Sequence, residues 1–254
     1  MPLLWTTLRL VLLEAAKSKL SWLIAAIALI SVGISQFLGQ LAILEAAEIQ
    51  STIQAAFLRI SGVFIVVTFV ITSMVRETDD KVTDLLLSQP PPRSAYYFGK
   101  LLGYGVVALV VATIFAIPAS MSAHLPGLAA WFLSLACELV LMSALAIFCA
   151  LSFSQVLPAL SATAAFYVLS RSMNTIQLIA TAPSLAPPSI ADQIIAWIVK
   201  IVALFLPRLD QFAQSTWVMS DVVPQSLSSS FLQSVPCLGI IVAASLFDLY
   251  RKNF

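Results

Sequence analysis

Apolar residues fall along this chain in long, nearly unbroken runs, without the one-sided pattern of a helix on a soluble domain. Six such runs cover roughly 20–44, 57–75, 98–121, 127–152, 156–170 with room to extend, and 234–250. A helix needs about 20 apolar residues to cross ~30 Å of hydrocarbon, so each run predicts a transmembrane span. A seventh run, 190–206, is shorter, carries Lys200 and lies between Pro187-Pro188 and Pro207. It predicts a re-entrant or interfacial helix.

Outside the runs the pattern changes. Within residues 1–19, Leu4, Leu8, Val11, Leu12 and Ala15 share one helical face, and Thr6, Arg9, Glu14 and Lys17 gather on another. This predicts a helix lying in the membrane interface with Trp5 at headgroup depth, the alternative being the first turn of a longer first span. The run that begins at Leu20 is about twice as long as the ~7–15 residues of a signal-peptide core, so cleavage is not expected. Between the fifth and sixth runs, the connection over 181–233 is broken by Pro183, Pro187, Pro188, Pro207 and Pro224. There Ser226 with Ser228-Ser229-Ser230 reads as a polar link, and short helices at the outer surface are expected.

Composition agrees with the runs. Hydrophobic residues make up 60% of the chain and charged residues 10%, with a mean hydropathy of +0.99. A soluble domain usually carries about 25% charged residues. The net charge of +1 offers no reason to expect nucleic acid, whose binding needs clustered Lys and Arg facing phosphate. Of the 13 Lys and Arg residues, Arg9, Lys17, Lys19, Arg76, Lys81, Arg93, Lys100, Arg251 and Lys252 fall on one side of a six-span layout. Arg59, Arg171, Lys200 and Arg208 are left for the other. By the positive-inside bias, both termini and the loop after the second span face the cytoplasm.

That loop also holds four of the 12 carboxylates, Glu77, Asp79, Asp80 and Asp84. Exposed ion pairs contribute only about 0–1 kcal/mol each, and membrane orientation depends on Lys and Arg, so the acids point to a reader outside the membrane. Glu77 and Lys81 stand at i,i+4, and Val75, Val82, Leu85 and Leu86 lie near one stripe. Pro90-Pro91-Pro92 ends any helix there. A short docking helix over 76–89 is therefore expected.

The order Val75-Arg76-Glu77, then Thr83-Asp84-Leu85-Leu86-Leu87-Ser88-Gln89-Pro90, then Arg93 and Gly99-Lys100 opening the next span, resembles the ABC-2 type permease family. The chain departs from the family pattern at Val82-Thr83, where a Gly-Thr is common. The resemblance extends to the whole layout, a single domain over 1–254. It implies an all-α integral membrane fold: a six-span helical bundle with an N-terminal interfacial helix over 1–19, a cytoplasmic coupling helix over 76–89, and outer re-entrant or interfacial helices between spans five and six. It also implies that Arg76, Glu77, Asp79, Asp80 and Asp84 meet a separate ATP-binding cassette ATPase, with Leu85 and Leu86 in its cleft. ATP and Mg would sit on that partner. This chain has no phosphate loop, since Gly99-Lys100 lacks the upstream glycine and the following hydroxyl. What the resemblance implies overall is the permease subunit of an exporter in a bacterial inner membrane, paired with a second permease copy and surrounded by lipid. Leu206-Pro207-Arg208-Leu209-Asp210-Gln211-Phe212 followed by Trp217 is similar to a segment in the branch linked to copper-enzyme maturation. Met74, Met121, Met142, Met173 and Met219 form no helical stripe that would mark a copper path.

Other candidate chemistry is sparse. Glu138 lies mid-span, where a carboxylate costs about 2.5–3.5 kcal/mol on insertion scales, so it needs a partner. It reads either as a pathway or gating residue or as an interhelical contact. Arg171 reads as an interfacial anchor or a pathway residue. Gly99, Gly103 and Gly105 permit close helix approach. Cys137, Cys149 and Cys237 lack metal-ligand spacing, and His124 stands alone, so no metal site is expected. No catalytic motif is present for a membrane enzyme. A scaffold that only recruits a cytosolic protein through the charged loop is the competing reading.

Overall fold

The computed structural model describes residues 2–41, 46–80, 93–121, 125–181, 197 and 226–251, and the elements among them are all helices. In chain order they are α1 (Pro2–Lys17), α2 (Leu20–Leu41), α3 (Ala46–Asp79), α4 (Arg93–Ser120), α5 (Leu125–Phe153), α6 (Val156–Thr181) and α7 (Ser226–Arg251). Five of them, α2, α3, α4, α5 and α7, are long and apolar enough to cross a membrane. The chain is an all-α, multi-pass membrane protein.

α5 is the centre of the bundle, touching α3, α4, α6 and α7. Its side chains are apolar nearly all the way round, the composition of a helix covered on every side. Leu135, Leu139, Met142 and Ile147 are fully buried along it. α2 and α7 lie at the periphery and turn Trp22, Leu29, Ile240 and Phe247 outward. In water such a surface would drive aggregation, whereas in hydrocarbon it is the solvated face.

Several buried hydroxyls bond within their own helices. Ser31 donates to Ala28 O, Ser143 to Leu139 O, Thr163 to Ala159 O and Ser245 to Ile241 O, each at 2.7 Å. With no water in the hydrocarbon, this back-bonding lets small polar residues sit inside the bundle.

Several boundaries differ from those expected. α3 starts at Ala46, eleven residues before the expected span at 57, and carries Glu48, Gln50, Gln54 and Arg59 with it. Hydropathy reads these residues as an outer loop, but helical residues whose polar groups find partners continue the helix. Gln50 Nε2 donates to Ser35 Oγ of α2 at 2.8 Å, and Gln54 Nε2 donates to the Pro118 carbonyl of α4 at 3.4 Å. α6 runs through Arg171 to Thr181 and so takes up the room to extend beyond 170. Ser226 and Ser228-Ser229-Ser230, expected to be a polar link, form the first turns of α7. Serine is only mildly unfavourable in a helix, and the apolar residues that follow carry the pattern forward. The rest of the outer connection, apart from Trp197, lies outside the described residues.

α1 packs against α4. Thr7 and Val11, one turn apart, are buried there. Glu14, expected on the polar face with Arg9 and Lys17, instead turns inward, because Ser73 of α3 donates to its carboxylate at 2.6 Å. α5 gives way to α6 through Ser154, whose φ of 54° lies in the left-handed region and reverses the chain in two residues.

Candidate functional site

Two groups of polar residues interrupt the apolar packing. The first is deep in the bundle. Arg59 on α3 and Glu138 on α5 are both fully buried, and Arg59 Nη1 lies 2.5 Å from Glu138 Oε2. Arg59 Nη2 donates to Ser134 Oγ at 2.8 Å, and Ser134 in turn donates to the Trp131 carbonyl at 2.8 Å. The guanidinium also stands 5.7 Å from the centre of the Trp131 ring, within cation–π range. From α6, Arg171 Nη1 approaches Glu138 Oε1 at 3.9 Å and donates to Tyr167 Oη at 3.4 Å. Three helices thus bring two guanidinium groups to one carboxylate.

Arg59 is the residue that hydropathy places wrongly. Counted with the outer basic residues, it is instead the main partner of Glu138, 79 positions away. A signal was there to be read, because Arg59 and Glu138 are opposite charges set within apolar sequence. Intramembrane charges pair with one another, so each predicts the other. Arg171, expected as an anchor or pathway residue, reaches inward to the same carboxylate.

The second group lies at the end of α3. The helix runs unbroken past Val75 to Asp79, and Asp80 N still donates to Arg76 O at 2.9 Å. Arg76, Asp79 and Asp80 are exposed there. Two acids at a helix C-terminus oppose the macrodipole, which favours cations at that end. Asp84, Leu85 and Leu86, with the rest of 81–92, lie outside the described residues.

Glu77 behaves differently from its acidic neighbours. Its expected partner Lys81 is outside the described residues, and its carboxylate is held by Lys100 of α4, with Tyr96 donating at 3.2 Å. Lys100 is only 2% exposed and also lies 5.6 Å from the centre of the Tyr104 ring. Tyr104 donates to Ser73 at 2.9 Å, and Ser73 donates to Glu14. The chain of contacts ties α1, α3 and α4 together below the exposed acids. Lys100→Met should therefore cost about 1.5–3 kcal/mol, the usual contribution of hydrogen bonds to a charged group. Glu77→Gln should cost a similar amount by leaving the lysine without its counter-charge. Thermal unfolding of both single variants and of the double variant checks this, with strong non-additivity expected.

Among the described residues, no three His, Cys, Asp or Glu side chains gather as a metal site, and Cys137, Cys149 and Cys237 are free thiols. A scan against protein-family models matches none, and a search of curated proteins finds no relative of this chain.

Proposed function

We propose that this chain is the permease subunit of an ATP-binding cassette exporter, working as two copies with separate ATPase subunits in a bacterial inner membrane. The observation that carries the reading is the end of α3. A helix rooted in the bundle presents Asp79 and Asp80 to solvent at its C-terminus, braced from below by Glu77 and Lys100. Charges placed against the macrodipole are retained for something other than helix stability. The loop that follows carries the resemblance to ABC-2 permeases.

In this reading α6 is the sixth span. Its 26 residues make about 39 Å at 1.5 Å per residue, enough to cross the hydrocarbon. An even count places both termini with the acidic loop on the cytoplasmic side. ATP binding would draw the two ATPase subunits together, and the docked loops would pass that rigid-body motion to the bundles through α3.

The test is co-expression of the tagged full chain with cassette ATPases from its own genome, taken one at a time. Asp79→Lys/Asp80→Lys should lower the ATPase retained on the purified chain about tenfold or more, a loss of at least ~1.4 kcal/mol. Thermal unfolding of the permease alone should not change. Full retention and full transport by that variant would overturn the docking assignment.

A further inference from the structure

The ion cluster on α3, α5 and α6 is unbalanced. Among the described residues it holds two guanidinium groups, Arg59 and Arg171, and one carboxylate, Glu138. Arg59 is enclosed and makes the short contact. Arg171 stands 3.9 Å from the same carboxylate, and its side chain is 30% exposed.

Depth gives that exposure its meaning. Arg171 lies about 22 Å along α6 from Val156 and about 15 Å short of Thr181, at 1.5 Å per residue. An arginine close to a surface can snorkel toward the headgroups. Arg171 does the reverse, because its guanidinium donates to Tyr167, one turn farther from the nearer end of the helix. It stays at the level of Glu138, and a charge held there faces protein or water rather than hydrocarbon.

The surface of α6 indicates water. Val168, Arg171, Thr175 and Leu178 share one face, on which Val168 and Leu178 are each 64% exposed and Thr175 is exposed too. Toward the start of α6 this side of the bundle is an apolar groove walled by Leu160, Ala164 and Val168 together with Ile60 and Phe64 of α3. Toward Thr181 it carries the hydroxyls of Ser172 and Thr175 instead. Water therefore has a polar approach to Arg171 from the Thr181 end and an apolar barrier beyond it.

We infer that Arg171 is an anion site in the middle of the membrane, reached by water along the Thr181 end of α6. Glu138 sets its strength. The carboxylate neutralises Arg59 and holds Arg171 only loosely, which leaves one net positive charge and spare guanidinium donors for an incoming anion. The site selects by sign, so phosphate, sulfonate and carboxylate groups are all attracted to it. That such an anion is the exported solute rests on the permease reading, whereas its access to Arg171 does not.

A cysteine at Thr175, one turn from Arg171, reports both water and charge. The full chain with Cys137, Cys149 and Cys237 replaced by alanine is placed in nanodiscs of a zwitterionic lipid, where both membrane faces are open to reagent. Thr175→Cys is then treated with two water-soluble methanethiosulfonates, one bearing a sulfonate and the other a trimethylammonium. A unit charge ~6 Å away in water changes the local concentration of a singly charged reagent about threefold. The two reagents shift in opposite directions, so adding Arg171→Gln should lower the ratio of sulfonate to ammonium rates about tenfold. Arg171→Lys should keep most of that ratio. A ratio that Arg171→Gln leaves unchanged overturns the proposal. So does a Thr175→Cys that neither reagent reaches until the chain is denatured, which would place this face against a second copy of the chain. The permease reading fails on a separate measurement, the ATPase retained by Asp79→Lys/Asp80→Lys, so each result stands without the other.

Discussion

Arg59→Met should lower the unfolding free energy of the purified chain by about 3–5 kcal/mol, the usual cost of removing one partner of a buried ion pair. The loss arises less from the missing attraction than from Glu138, which stays enclosed with the 3.9 Å contact to Arg171 and the Tyr167 hydroxyl in place of its closest partner. Removing both charges in Arg59→Met/Glu138→Leu should recover most of it, because apolar side chains of similar volume replace buried pairs at little cost and often with gain. Unfolding in mixed micelles, followed for the two single variants and the double variant, gives the coupling energy directly. A cost below about 1 kcal/mol for Arg59→Met would mean that Arg171 or water takes the place of Arg59. The double variant also separates the two readings of Glu138. If the chain is the proposed permease, a double variant that folds and transports fully makes the pair an interhelical contact, and one that folds and does not transport assigns the charges to the pathway.

Gly103→Leu should detach α1 from the bundle. A Cβ at Gly103 would lie 2.9 Å from Val11 Cβ, with both Val11 γ-methyls within 3.2 Å. Valine is stiff at χ1, so the clash cannot be relieved by rotating a side chain away. α1 itself must move, and with it the contact between Glu14 and Ser73. Overpacking of this kind costs about 1–3 kcal/mol. The readout is Thr7→Cys, a position 1% exposed in the packed helix, whose labelling by a water-soluble maleimide should rise sharply in the Gly103→Leu background. Val11→Gly combined with Gly103→Ala, which removes the Val11 Cβ together with both methyls, should leave labelling near its original level. If Gly103→Leu leaves Thr7→Cys protected, the close approach of α1 and α4 is not what holds α1 in place.

Both predictions rest on contacts between residues far apart in sequence, and the legible part of the molecule divides along that line. The apolar runs mark where helices form, because burial in hydrocarbon forces each segment to satisfy its backbone internally. Helix ends were harder to read. α3 begins at Ala46 through a polar stretch that no hydropathy window counts as membrane. It can do so because Gln50, Gln54 and Arg59 find partners on α2, α4 and α5. α7 likewise starts earlier than its apolar run, at Ser226, where a run of serines by itself reads as a link.

The candidate sites follow the same division. That Glu138 needs a partner and that the acids after Val75 are out of place as mere topology signals follow from composition and position alone. That Glu77 turns from those acids onto Lys100 depends on α4 lying alongside α3. Sequence by itself determined an all-helical membrane chain, the approximate places of its spans and the presence of unmatched charge. Only the tertiary structure decided that Arg59 meets Glu138, that Arg171 joins them beside an apolar groove, and that Glu14 faces inward. Hydrophobicity is a property of each segment, whereas the pairing of charges depends on which helices become neighbours, and only packing selects those.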